Sequence, residues 1–411
     1  MSKLVFINRF FYPDISATSQ MLSDLAFELA ASGLDVHVVT SRLLYDDNFA
    51  RLPNEESIEG VHIHRIWTTS LGRLRNRHQI VDYVSFFAFG LWRLFRLARR
   101  GDTVIVKTDP PLLSVPTMLL SRLCGWRQIN WLQDAFPEIA QAAGVSTKHR
   151  LLDKAFFGLL TGMRNLSLQH TARTVILGER MQEHLSDEGI DAERLAVIPN
   201  WANTQTVFPV AHGANPLRRQ WIAQGQFVVG YSGNMGIAHD FDVLLSAAAL
   251  LSVDPQILFL LIGNGKRKIY VERDIAQRNL GNVLLKPYQP REALANSLSV
   301  PDVHIVTLRP KMEGLIVPSK FYGVAAAGRP SIFLGDADGE VARMVARYDC
   351  GVTVDPADPA ALAAAIKRYQ QDPAMLSRHG KNARQMAVEH FDLKASVAKW
   401  RALITDGQTP S

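Results

Sequence analysis

Two successive rounds of alternating strand and helix signals most constrain how this 411-residue chain can fold. In the first round, apolar and β-branched runs lie at residues 4–8, 36–40, 62–67, 103–107, 128–132, 174–177 and 195–199. In the second round they lie at residues 227–231, 257–262, 283–285, 303–308, 331–334 and 352–354. Helical stretches such as 19–32, 243–251 and 359–369 separate them. Such alternation is typical of parallel sheets with helices on both faces, so the sequence predicts two doubly wound, Rossmann-like α/β domains.

The two rounds are separated by residues 201–226, which contain two prolines and no clear period, as expected for a linker. We therefore predict an N-terminal domain over residues 1–203, a linker over 204–226, a C-terminal domain over 227–385, and a final helix with a tail over 386–411. Open α/β sheets bind ligands beyond the carboxyl ends of their strands. Two such domains in series predict an active site in a central cleft.

The overall composition is that of a soluble globular protein, with 47% hydrophobic and 20% charged residues. The first residues hold only the apolar run Leu4–Ile7, which is too short for the core of a signal peptide, so a cytoplasmic protein is expected. Cys124 and Cys350 lie in apolar surroundings in separate halves of the chain, so they predict buried thiols rather than a disulfide.

Positive charge is concentrated in one window, residues 65–100, where eight arginines accompany the single acid Asp82, although the whole chain carries only +6. The arginines are Arg65, Arg73, Arg75, Arg77, Arg93, Arg96, Arg99 and Arg100. A local patch of this kind favours one anionic contact surface over a general nucleic-acid surface.

Residues 79–100 of this window show helical spacing, with Phe87, Leu91, Leu94 and Ala98 on one face. The other face is predicted to carry aromatic and basic side chains for membrane contact: Phe86, Phe89, Trp92, Arg93, Arg96 and Arg100. Arginines interleaved with aromatic residues are typical of a helix lying in a membrane interface, and the charges argue against a membrane-spanning helix. The alternative is a helix buried on both sides whose arginine stems reach out to water.

Three loops that follow strands of the second domain predict a site for a phosphate-bearing ligand. Residues 230–236 and 263–267 are rich in glycine, which lets backbone approach a pyrophosphate, and residues 313–320 bring Glu313 and Lys320 to the start of a helix. The predicted donor-binding residues are Gly233, Asn234, Gly236, Gly265, Lys266, Tyr288, Pro318 and Ser319. A lysine suits phosphate, whereas an ionised carboxylate only accepts hydrogen bonds and suits hydroxyl groups.

In the first domain, residues 131–138 follow a strand and present Asp134 and Glu138, which could orient sugar hydroxyls, although Asp134 could equally cap a helix. The histidines lack metal-ligand spacing beyond His62 and His64, which alternate along a strand. Residues 336–338 have a DxD pattern that helix capping explains better. We therefore expect no metal and no cofactor.

Several motifs together resemble family 4 retaining glycosyltransferases of GT-B architecture, in the branch that builds bacterial capsule, O-antigen and exopolysaccharide and carries a Pro-Ser-Lys motif. The motifs lie at residues 8–14, 133–138, 198–201, 231–236, 261–265, 317–322 and 327–330. The resemblance covers nearly the whole chain. It implies a nucleotide-sugar donor on the second domain, an acceptor on the first, no metal, and a final helix that returns to the first domain.

By the same resemblance, Glu313, Lys320 and Asp134 are the expected catalytic residues. Acceptor binding is assigned to Arg9, Tyr12, Ser16, Glu138 and Asn200. The implied partners are a nucleotide-sugar, an undecaprenyl-diphosphate-linked saccharide and the anionic cytoplasmic face of the inner membrane, with peripheral attachment of the protein.

The chain also departs from the family pattern. The second family Glu, which commonly holds the ribose, falls on Gly323, and the family Arg and Lys for the diphosphate fall on Asn234 and His239. Lys320 is the expected replacement for those charges, with Lys266 or Arg267 assisting. The alternatives are a sugar-nucleotide 2-epimerase of GT-B fold, a catalytically silent subunit that docks a partner at the membrane, and a soluble transferase acting on a small acceptor.

Overall fold

The computed structural model describes residues 2–45, 47, 51–71, 76–145 and 150–406 of the chain. Arg73 and Arg75 of the basic window lie outside these residues, as does the side chain of Arg77. The chain divides into two compact units, one formed by residues 1–199 with 396–411 and the other by residues 200–395.

The first unit is built on an eight-stranded sheet with the strand order β3-β4-β2-β1-β5-β6-β7-β8. Its strands are β1 (Leu4–Ile7), β2 (Val36–Ser41), β3 (Glu55–Ile58), β4 (Val61–Ile66), β5 (Thr103–Lys107), β6 (Arg127–Trp131), β7 (Arg173–Ile176) and β8 (Leu195–Val197). Among the described strands of this sheet, only β3 runs antiparallel to its neighbour. The helices are α1 (Ala17–Ala31), α2 (Asn76–Leu97), α3 (Ser114–Cys124), α4 (Glu138–Ala142), α5 (Arg150–His170) and α6 (Glu179–Asp187).

The second unit is built on a six-stranded parallel sheet with the strand order β11-β10-β9-β12-β13-β14. Its strands are β9 (Phe227–Ser232), β10 (Ile257–Ile262), β11 (Val283–Lys286), β12 (Val303–Thr307), β13 (Ser331–Leu334) and β14 (Gly351–Val354). The helices that follow the first unit are α7 (Pro216–Trp221), α8 (Asp242–Leu250), α9 (Lys268–Gln277), α10 (Leu294–Leu298), α11 (Lys320–Ala326), α12 (Glu340–Arg347), α13 (Pro359–Gln371), α14 (Pro373–His390) and α15 (Leu393–Thr405).

Both units are therefore doubly wound α/β domains, which confirms the predicted fold class. Residues 204–226, predicted as a linker, pack with the second unit and contain α7, which Asn215 caps through its side-chain oxygen. The central strands are apolar and almost fully buried, as expected for parallel strands covered on both faces.

The end of α15 belongs to the first unit. Trp400 is fully buried there and its ring lies 4.8 Å from that of Trp131, centroid to centroid. The guanidinium of Arg127 donates hydrogen bonds to the carbonyl oxygens of Leu403 and Ile404, at 2.9 and 2.8 Å. These contacts fix the last turns of the helix to strand β6.

Helix α2 packs on β2 and β4, and α3 packs on β5 and β6 while contacting both α2 and α5, so these three helices form one layer on the sheet. The buried line of α2 contains Phe86, Gly90 and Leu94. A Cβ atom at Gly90 would lie 3.2 Å from Cδ1 of Ile7, so the glycine lets the helix approach the strand closely. Within the described residues, no helix is both long enough and apolar enough to cross a bilayer.

The predicted exposure of Phe86 is wrong, because this side chain has no accessible surface and packs in the core with Ile7 and Val106. Positions 86, 90 and 94 are each four residues apart, so they share a face, and the small Gly90 draws that face onto the sheet.

Candidate active site

Two glycine loops of the second unit meet at the carboxyl ends of β9 and β10. The amide of Met235 donates to the carbonyl of Asn264 at 2.7 Å, and that of Arg267 donates to the carbonyl of Met235 at 3.0 Å. Gly263 has a φ of 151°, and a Cβ atom there would lie 2.0 Å from the carbonyl oxygen of Gly233. Only glycine fits such an approach, so these loops form one closely packed backbone surface.

The loop that ends at α11 brings Lys320 to this surface. Its Nζ donates to the Tyr231 hydroxyl at 2.5 Å and lies 3.9 Å from the centre of the Tyr231 ring. The hydroxyl in turn donates to the carbonyl of Asn234 at 2.7 Å. A Cβ atom at Gly233 would lie 3.2 Å from Cε of Lys320, so the absence of a side chain at Gly233 leaves room beside the lysine.

His239 provides a second acceptor for Lys320. Its Nδ1 lies 2.6 Å from the carbonyl oxygen of Thr307, which can only accept, so Nδ1 carries the proton. The bare Nε2 then faces Nζ of Lys320 at 3.3 Å. Burial, with the charge of Lys320 as a further cause, lowers the pKa of His239 to about 3, so the ring is neutral at physiological pH.

Lys320 therefore has two neutral acceptors, and no carboxylate of the described residues lies close enough to pair with it. An ammonium group has three N–H donors, so Tyr231 and His239 leave one for a ligand. Desolvation lowers the pKa of Lys320 well below its ordinary value. A cation held without a counter-anion beside this glycine-rich backbone surface is suited to bind an anion such as a phosphate.

Glu313 lies on the same loop but faces another element. Its Oε1 accepts from the amide of Glu340 at 2.8 Å, at the start of α12, and a Cβ atom at Gly339 would meet its Oε2 at 2.5 Å. Glu313 thus ties the loop to α12. Nearby, Asp336 accepts from the amide of Asp338 at 2.9 Å, and Asp338 pairs with Arg343 at 2.8 Å, so the DxD pattern makes turn and helix contacts.

The other predicted donor residues occupy the same sheet edge with differing exposure. Pro318 is buried and Ser319 is half-buried ahead of α11, while Lys266 is exposed on the second glycine loop. A Cβ atom at Gly236 would lie 3.2 Å from Nδ2 of Asn234. Tyr288, which follows β11, is 43% exposed. A Cβ atom at Gly323 would lie 3.3 Å from Cδ1 of Leu298, so this position faces packed side chains rather than a ligand.

In the first unit, a buried titratable cluster lies where β5 and β6 end. Lys107 is 1% exposed, its Nζ lies 3.8 Å from the Trp131 ring centre, and it donates to the carbonyl of Thr18 at 2.8 Å. Burial lowers the pKa of Lys107 to about 7, against the opposing charges of Asp134 and Asp109. Lys107, Asp134 and Trp131 line a small cavity.

Two carboxylates face this lysine. Burial raises the pKa of Asp134 to about 6, with Lys107 opposing the shift. Burial also raises the pKa of Asp109 to about 6. The charge of Arg9 opposes this shift, and the charge of Asp134 adds to it. Lys107 and Asp109 were not predicted as site residues. The available signal was a charged residue closing an apolar strand, followed by an Asp-Pro-Pro turn at residues 109–111.

The predicted acceptor residues each make contacts of their own. The Arg9 guanidinium lies 3.4 Å from the Asp82 carboxylate of α2, and its amide donates to the Asp109 carbonyl at 2.8 Å. Ser16 donates to Asp14, whereas Tyr12 is 41% exposed. Asn200 is 3% exposed and is grouped with the second unit.

Glu138 is held by Arg164, whose NH2 lies 2.9 Å from Glu138 Oε1 and also pairs with Glu188. Glu138, His184 and Glu188 place possible metal-ligand atoms within 4.8 Å of one another. Because the Arg164 guanidinium is hydrogen-bonded to both carboxylates, this group is an ion-pair network and fits a metal ion poorly.

On the predicted membrane helix, the outer side carries Phe89 and Trp92, which are 43% and 59% exposed. Arg96 is exposed and its guanidinium lies 5.8 Å from the Trp92 ring centre. Arg93 instead reaches across to strand β3 and pairs with Glu55, and its NH2 lies 2.7 Å from His64 Nδ1. Arg100 is exposed just after the helix.

Two domain families match the chain, one for each round of strands and helices. Residues 17–201 match the glycosyl transferase 4-like domain, and residues 216–386 match the glycosyl transferases of group 1. The chain is 29% identical over 314 residues to the probable glycosyltransferase WbjE of Pseudomonas aeruginosa, with 76% of each chain covered. It is 24% identical over 391 residues to the putative colanic acid biosynthesis glycosyl transferase WcaI of Escherichia coli strain K12, covering 92% of this chain and 94% of that one.

Solved structures share the fold over almost the whole length. Sucrose-phosphate synthase from Thermosynechococcus elongatus superposes with a TM-score of 0.78 at 18% identity, covering 99% of both chains. HepE of Anabaena, solved in complex with UDP, superposes with a TM-score of 0.72 at 15% identity, covering 98% of this chain and all of that one. With both halves matched to transferase domains, the chain is a family 4 glycosyltransferase of GT-B architecture.

Proposed function

We propose that this chain is a retaining, metal-independent glycosyltransferase that moves a hexosyl or N-acetylaminosugar unit from a nucleotide-sugar, with UDP favoured, to a lipid-linked saccharide in surface polysaccharide biosynthesis. The observation that carries the proposal is Lys320, a desolvated cation without a counter-anion beside two glycine loops. The match to WcaI, described as a colanic acid enzyme, supports the polysaccharide context. UDP in the similarly folded HepE supports the choice of nucleotide.

In the proposed reaction, the bond between the anomeric carbon and the donor phosphate breaks while a bond to the acceptor oxygen forms on the same face of the sugar. The acceptor hydroxyl proton passes to the departing phosphate oxygen. Lys320 stabilises the negative charge that grows on that phosphate, which is electrostatic catalysis by a fixed charge. The loop from Gly233 to Gly236 and the Ser319 hydroxyl hold the diphosphate. Because the Gly233 amide already donates to the carbonyl of Ile262 at 2.9 Å, Gly233 contributes close approach of the backbone rather than a hydrogen bond.

Asp134 and Asp109 are the groups proposed to orient the acceptor. With pKa values of about 6, both are mostly ionised at neutral pH and accept hydrogen bonds from sugar hydroxyls. The acceptor is proposed to be undecaprenyl-diphosphate-linked. Peripheral attachment to the cytoplasmic membrane face is assigned to α2 through Phe89, Trp92, Arg96 and Arg100, where each basic residue near an anionic surface contributes about 1 kcal/mol.

The proposal is tested by labelled sugar transfer from a panel of UDP- and GDP-sugars to short lipid-diphosphate-sugar acceptors in detergent, with and without EDTA. We expect transfer from one UDP-sugar that is insensitive to EDTA. EDTA-sensitive transfer would contradict the metal-free mechanism.

A catalytically silent docking subunit is the second candidate, because the full charges that family members carry at positions 234 and 239 are absent here. Calorimetry separates the two. Absence of both transfer and nucleotide binding would favour the silent subunit, whereas binding of UDP with turnover favours the enzyme.

A further inference from the structure

The layer formed by α2, α3 and α5 has an unusually apolar outer side. Of the twenty-eight exposed large hydrophobic side chains among the described residues, fourteen lie on these three helices. They are Ile80, Val81, Val84, Phe89, Trp92, Phe95, Leu119, Leu123, Leu151, Leu152, Phe156, Leu159, Met163 and Leu166. Monomeric soluble proteins rarely expose large contiguous apolar patches, so a surface of this kind marks an interaction site.

Helix α5 contributes the most regular part of this surface. Its exposed stripe has spacings of four, three, four and three residues and consists of Leu152, Phe156, Leu159, Met163 and Leu166, which are 63%, 55%, 63%, 37% and 46% exposed. Side chains at these spacings share one helix face. The opposite face of the helix already supplies core residues, Phe157 at 6% exposure and Leu168 at 1%. The helix therefore has two apolar faces, and only one is covered within the described chain.

The neighbouring helix α3 extends the stripe. Leu119 and Leu123 lie one turn apart and are 55% and 85% exposed. Because α3 contacts both α5 and α2, the apolar surface continues across the three helices. Neighbouring helices pack about 8–10 Å apart, so the surface is wide enough for several helices to lie side by side in one plane.

The charges on this layer favour one kind of partner. Arg96 and Arg122 are exposed on α2 and α3. Lys154 is also exposed, but it is two residues from Leu152 and from Phe156, so it lies away from the apolar stripe of α5. The acidic residues of these helices are Asp82, which is 2% exposed, and Asp153, which is half-buried. Two copies of the layer placed face to face would bring like charges together. An anionic lipid surface matches both the apolar and the basic character.

We propose that the α3–α5 face, formed by Leu119, Leu123, Leu152, Phe156, Leu159 and Met163, is a second membrane-docking surface that lies in the interface of an anionic bilayer. Its apolar side chains enter the boundary between headgroups and acyl chains, and Arg122 contacts the headgroups. This inference rests on the proposed membrane attachment of the enzyme and adds to it a surface independent of the arginines of α2.

The test is co-sedimentation of the full chain with vesicles of phosphatidylcholine containing phosphatidylglycerol. We expect Phe156→Gln with Leu159→Gln to weaken vesicle binding at least tenfold. The matched control is Leu250→Gln with Val253→Gln in the second unit, where the side chains are 54% and 87% exposed. The control should bind vesicles like the parent protein, and thermal unfolding of both variants checks that the fold is kept.

Three outcomes would overturn the inference. One is parent-like vesicle binding by the α5 variant. The second is binding to pure phosphatidylcholine vesicles as tight as to anionic ones. The third is a dimer in sedimentation equilibrium that the α5 variant dissociates, which would assign the face to a second copy of the chain.

Transfer to a detergent-solubilised acceptor, measured in parallel, reports on the proposed function by itself. Loss of vesicle binding with full transfer in detergent is the expected result for the α5 variant. If the parent protein shows no transfer but binds vesicles through α5, the docking surface stands while the proposed function fails.

Discussion

At the scale of single residues, the proposed donor site depends on a lysine whose surroundings are neutral. Tyr231 and His239 both accept from Lys320 without supplying charge. In a weakly solvated site, these two neutral hydrogen bonds orient the ammonium group of Lys320 and do not neutralise its charge, so the charge remains available to attract a phosphate. The same neutrality explains why the chain can lack the family cations at positions 234 and 239: in the proposed account, one charge held from α11 replaces them.

The role of His239 predicts a specific substitution pattern. His239→Leu removes the acceptor that faces Lys320 while conserving an apolar shape, so UDP affinity should fall about tenfold, the equivalent of one hydrogen bond to a charged group. His239→Gln offers an amide oxygen to the same N–H and should recover most of the loss. Calorimetric titration of UDP measures both, and equal affinity of the Leu variant and the parent would show that His239 does not position the lysine.

Asp109 predicts a pH-dependent stability. Its folded-state pKa is raised by burial to about 6, above the ordinary value of about 4 for an aspartate. The folded state thus keeps this proton where the unfolded chain has released it, so stability falls as pH rises from about 4 to 6 and stays lower above that range.

Asp109→Asn should therefore raise the thermal midpoint at pH 8 by a few degrees, since about 1 kcal/mol corresponds to about 2–4 °C in a chain of this size class. The gain should vanish near pH 4. The exposed Asp187→Asn is the control. A gain that is the same at both pH values would contradict the assigned protonation.

At the scale of elements, the final helix holds the first unit together from the far end of the sequence. Trp400 is fully buried against Trp131, so Trp400→Ala leaves a large cavity and should reduce the free energy of unfolding by about 3–5 kcal/mol. Val388→Ala, at a position that is 45% exposed, should change it by less than about 0.5 kcal/mol. Chemical denaturation measures both. A small effect of Trp400→Ala would mean that α15 is dispensable to the first unit.

Helix periodicity located α2 but left its orientation ambiguous. The apolar residues 86, 87, 91 and 94 fit two overlapping stripes, and only contact with the sheet chooses between them. Gly90 makes that choice, because its missing side chain lets the 86–90–94 line reach Ile7. In α5 the reverse holds. A regular apolar stripe would ordinarily be assigned to the core, yet the buried apolar residues of this helix, Phe157 and Leu168, lie on its other face.

At the scale of the whole molecule, the fold class could be read from the sequence because buried parallel strands are short, apolar and evenly separated by helices. The meeting of the two glycine loops was equally readable, since glycines after consecutive parallel strands lie at one sheet edge. The links from Lys320 to Tyr231 and His239 were not, because they join residues 89 and 81 positions apart, and such spacings carry no local signal. The Lys107 cluster was missed because strand patterns do not reveal which buried charges face each other.

In the proposed mechanism, Lys320 supplies the charge that binds the donor diphosphate. Titration of UDP into the parent, Lys320→Met and Lys311→Met proteins measures this contribution. Lys311 is an exposed lysine on the same loop and serves as the control. We expect about 10- to 100-fold weaker UDP binding for Lys320→Met, because one charged hydrogen bond is lost, and unchanged binding for Lys311→Met.

Because burial lowers the pKa of Lys320, its charge costs folding free energy at neutral pH, so the thermal midpoint of Lys320→Met should stay equal or rise. The same variant should lose about 10²- to 10³-fold in transfer rate. Parent-like UDP affinity and turnover in a folded Lys320→Met protein would contradict the account.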